Sequence, residues 1–320
     1  MSERAEAGAR AGGGHGARAV LAALLANLGI AAAKFIGWAL TGSASMLAEG
    51  FHSVADSGNQ LMLLLGGRLA RRGPDPHHPF GHGAARFFAA FLVAVVLFTL
   101  GSLFSLYEGY QKLRHPHELE SPVVALAILA VALVLEGLSL RTAVREATPL
   151  RGDQNWWSFI RTTKNPELAV VILEDTAAEL GLGFAFVGVG VAALTGDALY
   201  DALGTLAIGA LLAVVAVVLG MEMYSLLVGE AASPQEQTAI RQALGSIPGI
   251  AGLLQLRTMY LSPEELLVAA KVEMDPALSA SQTAEVIDRA EARLRDAVPS
   301  ARVVYLEPDL PVAPAPASDA

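Results

Sequence analysis

Six long apolar blocks constrain this chain more than any other feature. They run approximately over residues 18–40, 44–68, 86–112, 122–145, 168–194 and 198–226. Each can cross about 30 Å of hydrocarbon, which takes roughly 20 residues of helix. Hydrocarbon offers no water to the backbone, so each span is expected to be an α-helix that satisfies its own amides. The composition agrees. Of the 320 residues 53% are hydrophobic and 17% charged, where a soluble domain is about a quarter charged. The expected class is a polytopic α-helical membrane protein with six transmembrane helices over residues 17–230. Residues 1–16 are rich in Gly and Ala and are expected to be a disordered tail. The apolar stretch after them continues into a full-length span, so it reads as a retained first helix rather than a cleaved signal.

Basic residues set the orientation. Arg68, Arg71, Arg72 and Arg86 lie between the second and third spans, and Arg141, Arg145, Arg151, Arg161 and Lys164 between the fourth and fifth. Arg4, Arg10 and Arg18 precede the first. The opposite loops carry little beyond Lys112 and Arg114. Both termini are therefore expected in the cytoplasm, with the chain integral to the cell (inner) membrane.

From about Ser233 the pattern becomes that of a soluble domain over residues 231–310. "SPQEQTAIRQALGS" opens with a capping serine and a proline at the first helical position. "GLLQLRTMYLSPEELLVAAKVEMD" predicts two strands around the turn "SPEE". Val286, Ala290, Leu294 and Val298 recur at four-residue steps on an amphipathic helix, and "ARVVYLEPD" predicts a last strand. The order α-β-β-α-β implies a small α+β domain. The Pro/Ala-rich residues 311–320 are expected to be disordered.

Charge and cysteine content narrow the chemistry. The net charge is -9 and there is no cysteine. Disulfides, thiolate sites and Cys nucleophiles are excluded, and nucleic acid is disfavoured as a partner. Any transition-metal site must use His and carboxylates.

Two spans carry such residues. In "AEGFHSVADSGNQ", His52 and Asp56 are four apart and share one helical face, with Glu49 a turn earlier. In "LEDTAAE", Asp175 and Glu179 repeat that spacing, while Glu174 is rotated by about 100° from Asp175. Intramembrane carboxylates are costly and default to a functional reading. Together the two faces offer imidazole and three carboxylates, the donor count of a zinc site. Glu49 and Asn59 are candidates for a vestibule or a supporting role. A second cluster, Asp75, His78 and His82, lies in the loop "PDPHHPFGHGAARFF". Glu108 and Glu136 are weaker signals at span ends, with Lys34 a possible partner.

At these residues the sequence resembles the cation diffusion facilitator family. The likeness rests on six helices, "HSVAD" in the second, "HPFGHG" in the next loop and the C-terminal α+β domain. It implies a homodimeric antiporter that exports a divalent cation, Zn²⁺ first and Mn²⁺, Fe²⁺, Co²⁺ or Cd²⁺ next, in exchange for protons. It implies no enzyme. It places the transmembrane metal site at His52 and Asp56 with Asp175 and Glu179, Glu174 being the rival for the fourth ligand. This chain is similar to a subgroup with a Glu-Asp pair in the fifth helix. The resemblance implies a second site at Asp75, His78 and His82, and a ferredoxin-like cytosolic dimerisation domain. A histidine common there in the family is Tyr305 here, so dimerisation would rest on packing. The other readings are an intramembrane metal-dependent hydrolase, which lacks an H-E-x-x-H motif here, and a membrane metal sensor or scaffold.

Overall fold

The computed structural model describes residues 19–36, 39, 44–116 and 121–309, except for the side chains of 44–52 and 55. Both expected tails lie outside the described residues. The chain divides into two compact units, Met1–Leu227 and Val228–Ala320.

The first unit is helical: α1 Ala19–Ile36, α2 Ala44–Ala70, α3 Ala85–Arg114, α4 Pro122–Arg151, α5 Trp156–Thr162, α6 Pro166–Thr195 and α7 Leu199–Val228. Five of these, α1, α3, α4, α6 and α7, are long and apolar enough to cross a membrane. α2 is 27 residues long, but its polar run from Glu49 to Gln60 sets it apart from those five. α4 continues to Arg151, six residues past the expected span, and α5 fills part of the expected loop. The Asn155 side chain caps α5 by accepting from Ser158 N at 2.7 Å. Asn165 caps α6, with Pro166 in its first turn, where its missing N–H leaves no bond unmade. Gly196, at φ +74°, ends α6 in the left-handed region, which glycine enters without steric cost.

The first turns of α6 are buried continuously, from Pro166 to Ile172. At its start Glu167 receives both arms of the Arg86 guanidinium from α3, Nη2 to Oε2 at 2.8 Å. Both side chains are under a tenth exposed. Elsewhere α3 meets α7 through small residues, as in other membrane interfaces. A Cβ on Gly209 would come within 2.8 Å of Leu106, and one on Gly109 within 2.8 Å of Leu206. Midway along α3, Leu97–Leu103 forms a π-helical turn. There Ser102 Oγ donates to the Gly209 carbonyl at 2.9 Å. At the other end of this contact Lys112 pairs with Asp201 at 3.0 Å.

The second unit follows the expected order, α8 Pro234–Gly245, β1 Ile250–Ser262, β2 Glu265–Met274, α9 Ala280–Ala297 and β3 Val303–Asp309. β1 and β2 are antiparallel and turn at residues 262–265, and β3 joins β2 in parallel. Among the described residues the sheet has three strands. Leu266, Val268, Ala270, Val272 and Met274 alternate into the core, where they meet Ile240 and Leu244 of α8 and Val286, Ala290 and Leu294 of α9. The α8 cap is reciprocal: Ser233 Oγ accepts from Glu236 N, and Ser233 N donates to Glu236 Oε2 at 2.8 Å. Glu236 Oε1 also accepts from Tyr260 at 2.6 Å and from Ser300 at 3.1 Å. Burial raises the Glu236 pKa, but the hydrogen bonds from Tyr260, Ser233 and Ser300 outweigh it, and the carboxyl lies below its ordinary value.

Two tests follow from these contacts. Glu167→Ala removes the carboxylate that takes two hydrogen bonds from a buried guanidinium and is expected to cost about 3 kcal/mol, measured by thermal unfolding in detergent. Arg86→Met with Glu167→Leu should recover most of that loss; strictly additive losses would show that the two side chains act separately. In the C-terminal unit, a depressed carboxyl contributes stability above its unfolded pKa of about 4.3, which is lost as pH falls through the folded value. Tyr260→Phe should therefore weaken hydrogen-exchange protection of α8 and β1 by about 1 kcal/mol near neutral pH. That difference should shrink below about pH 4; a pH-independent difference would assign the effect to packing alone.

Candidate metal centres

The polar residues of α2 and α6 meet within the helical unit. Glu174, 7% exposed, is held on both oxygens by neighbouring carboxamides of α2. Asn59 Nδ2 donates to Oε1 at 3.0 Å, and Gln60 Nε2 to Oε2 at 3.2 Å. Asn27 of α1 in turn donates to Gln60 Oε1 at 3.3 Å. The next residue, Asp175, is turned about 100° around the helix and finds its partner on another element. Ser139 Oγ of α4 donates to Asp175 Oδ2 at 2.7 Å.

Asp56 is half-buried on α2. Its charge acts on Glu174 and Glu136, and Glu136 also feels Asp175, Glu179 and Lys34. Lys34, buried on α1, donates to Ser53 Oγ at 2.9 Å. Glu179, one turn beyond Asp175, lies against Gly137 of α4, where a Cβ would sit 3.8–3.9 Å from its oxygens. Its Oε2 is enclosed with no hydrogen-bond partner among the described residues. Five carboxylates from three helices thus share one electrostatic environment near Lys34. In a low-dielectric setting such charge needs protons, or a cation, to balance it.

The expected ligands are only partly placed. The side chains of His52 and Glu49 lie outside the described residues. Asp56, Glu174, Asp175 and Glu179 are brought into one region, yet no three of them close their oxygens to within 4.8 Å, whereas the loop triad does. Asn59, expected in a vestibule or supporting role, holds Glu174, while Gln60 and Ser139 as carboxylate partners, and Asn27 behind Gln60, are not marked by residue spacing. The one sequence signal for them was neutral polarity inside apolar runs.

The loop triad is compact. Asp75 Oδ1 accepts from the backbone N–H groups of His77 and His78, each at 2.8 Å. Asp75 and His78 also exchange backbone hydrogen bonds at 3.1 Å. Gly81, at φ +77°, turns the chain back so that His82 reaches Asp75 Oδ2, Nε2 at 3.6 Å. The rings of His78 and His82 are 4.2 Å apart. His82 Nδ1 is buried without a partner among the described residues. The backbone hydrogen bond from His78 is the leading cause that holds Asp75 below the ordinary carboxyl range, so Asp75 stays anionic. One carboxylate and two imidazoles within 4.8 Å of one another form a donor set suited to a divalent cation.

Residues 20–228 match the family described as "Cation efflux transmembrane domain", and residues 232–309 match "Cation efflux protein, cytoplasmic domain". The mitochondrial proton-coupled zinc antiporter SLC30A9 of Mus musculus is 34% identical over 245 residues, which are 76% of this chain and 43% of that protein. The chain therefore spans less than half the length of that relative. The cation-efflux pump FieF of Serratia proteamaculans is 31% identical over 303 residues, 93% of this chain and 95% of the pump. A solved MamM C-terminal domain is 18% identical, with a TM-score of 0.23, and covers 24% of this chain and 95% of its own.

Proposed function

The chain belongs to the cation efflux (cation diffusion facilitator) family, and from that premise we propose that it exports a divalent cation, Zn²⁺ first, from the cytoplasm in exchange for protons. The carrying observation is the carboxylate cluster that α2, α4 and α6 build inside the helical unit. In this reading His52, Asp56, Asp175 and Glu179 are the transmembrane ligands. Glu174 is the weaker candidate, because both of its oxygens are engaged by carboxamides, while Glu179 Oε2 has no donor among the described residues. Asp75, His78 and His82 form a second cation station in the loop. α2 serves as the sixth span, both termini are cytoplasmic in an inner-membrane protein, and a ferredoxin-like C-terminal domain pairs two copies.

The mechanism is competition for the same lone pairs. A cation needs ionised carboxylates and neutral imidazole, and protons remove both conditions. Metal arriving from the cytoplasm expels protons, and protons arriving from the far side expel metal. Helices rocking around a site near the bilayer midplane would provide alternating access. The names of the zinc antiporter and the efflux pump support proton coupling and zinc, and favour a carrier over a hydrolase or a sensor. An oxygen-rich set with one imidazole leaves Mn²⁺, Fe²⁺, Co²⁺ and Cd²⁺ as further substrates.

Proteoliposomes with an imposed pH gradient and a zinc-sensitive dye test the transmembrane site. Asp56→Ala and Asp175→Ala should each slow gradient-driven uptake at least about tenfold, the loss of ~1.4 kcal/mol or more of binding. Glu174→Gln should retain more activity than Glu179→Gln. Wild-type uptake by Asp175→Ala would sink the assignment. For the loop, Asp75→Asn keeps an oxygen for the His77 and His78 amides but removes the charge. Zn²⁺ titration of the purified protein should then show one site weakened about tenfold, and an unchanged titration would remove the loop from the metal pathway.

A further inference from the structure

The buried face of α4 runs Ala132, Glu136, Ser139, Ala143 and Ala147. Spacings of four, three, four and four make it one continuous stripe. Three of the five are alanines, and the two polar ones address the carboxylates of α6. Ser139 is 3% exposed and Asp175 2%. Their contact is a hydrogen bond of ordinary hydroxyl length, 2.7 Å.

A helical hydroxyl has an easier partner, the carbonyl four residues earlier. Thr142 and Thr148 on the same helix take it, at 2.9 and 2.6 Å. Ser139 gives its one proton to Asp175 instead. The consequence falls on the carboxylate. The hydroxyl takes one lone pair of Oδ2 and fixes the rotation of the carboxylate, while Oδ1 accepts no hydrogen bond among the described residues.

We propose that Ser139 is a positioning residue that restricts Asp175 to one metal-binding oxygen and so biases the carrier toward small, four-coordinate Zn²⁺. The proposal rests on the reading of Asp175 as a ligand. Zinc sites are tetrahedral and take one donor atom per side chain. Mn²⁺ favours six oxygen ligands, and a carboxylate that binds through both oxygens helps to supply them. Without the hydroxyl, Asp175 can turn both oxygens to the cation, and the penalty on the oxygen-hungry ion falls.

The test measures Zn²⁺ and Mn²⁺ uptake against concentration by the full chain in proteoliposomes, for wild type, Ser139→Ala, Ser139→Gly and Ser139→Thr. Both hydroxyl-free variants should raise the Mn²⁺ to Zn²⁺ ratio of uptake efficiency about fivefold, corresponding to the ~1 kcal/mol of one hydrogen bond. Ser139→Thr should restore the wild-type ratio. Either hydroxyl-free variant that transports suffices for the comparison. If both fail to transport, the ratio of Zn²⁺ to Mn²⁺ affinities of the detergent-solubilised protein is read instead, with the same expected shift. A ratio unchanged in the hydroxyl-free variants, even with both metals slowed equally, overturns the proposal, as does a rise shared by the threonine variant. Asp175→Ala runs alongside: wild-type uptake there removes the ligand reading itself, whereas lost uptake there with an unchanged ratio in Ser139→Ala removes the selectivity role alone.

Discussion

A carboxylate in hydrocarbon must be compensated, and the manner of compensation separates the carboxylates of this chain into two kinds. Toward the helix ends they meet full counter-charges: Glu167 with Arg86, Asp201 with Lys112, and Glu222 with Arg161. In the middle, beside Lys34, Glu174 and Asp175 meet neutral donors, Asn59 and Gln60 on Glu174 and Ser139 on Asp175. A fixed cation cancels a charge for good. A neutral donor orients a carboxylate and leaves its charge to be balanced by something that comes and goes. Metal-proton exchange needs the second kind at its centre and the first kind around it, where permanent pairs hold the helices together.

The helix that carries the acidic pair is enclosed along its first half. α6 is buried from Pro166 to Ile172 and again at Glu174 and Asp175, so its acidic pair sits where protein surrounds it rather than lipid. Adjacent residues on a helix diverge by about 100°. Glu174 therefore faces α2, and Asp175 faces α4. The pair does not act as one doubled ligand. It distributes two roles between two neighbours, one carboxylate tied to α2 and the other held by α4.

This division explains what could be seen in the sequence. Hydropathy located the five helices that are long and apolar enough to cross a membrane, because length and apolarity are properties of a contiguous segment. Proline and serine at 233–234 marked the start of α8, and alternation marked β2, for the same local reason. The spacing of Asp175 and Glu179 established a shared face. The partners did not follow, since a hydrogen bond from Ser139 or Asn59 joins residues 36 and 115 positions apart, and a neutral side chain in a span has no periodicity of its own. The same holds for Arg86, which stands among the loop arginines in the sequence and whose partner Glu167 lies 81 positions away. α5 escaped because seven residues are too few to develop a pattern, and its cap at Asn155 is the only local sign.

The antiport proposed above also needs some helix contacts that persist and others that exchange. α4 and α6 pack closely, and Ser139 and Asp175 lie buried within that contact. α2 reaches α6 at this depth through two carboxamide hydrogen bonds, and α1 is joined to the same network through Asn27. Such bonds exchange with water or with another polar group at small net cost, about 0.5–1.5 kcal/mol each. α2 also runs from Asp56 to Ala70, about 21 Å at 1.5 Å per residue, and leads directly into the loop that holds Asp75, His78 and His82. A displacement of α2 against α6 would thus alter the transmembrane cluster and shift the loop triad in the same step. In the proposed antiport, α2 would link the carboxylate cluster to the loop triad while its packing on α3 persists.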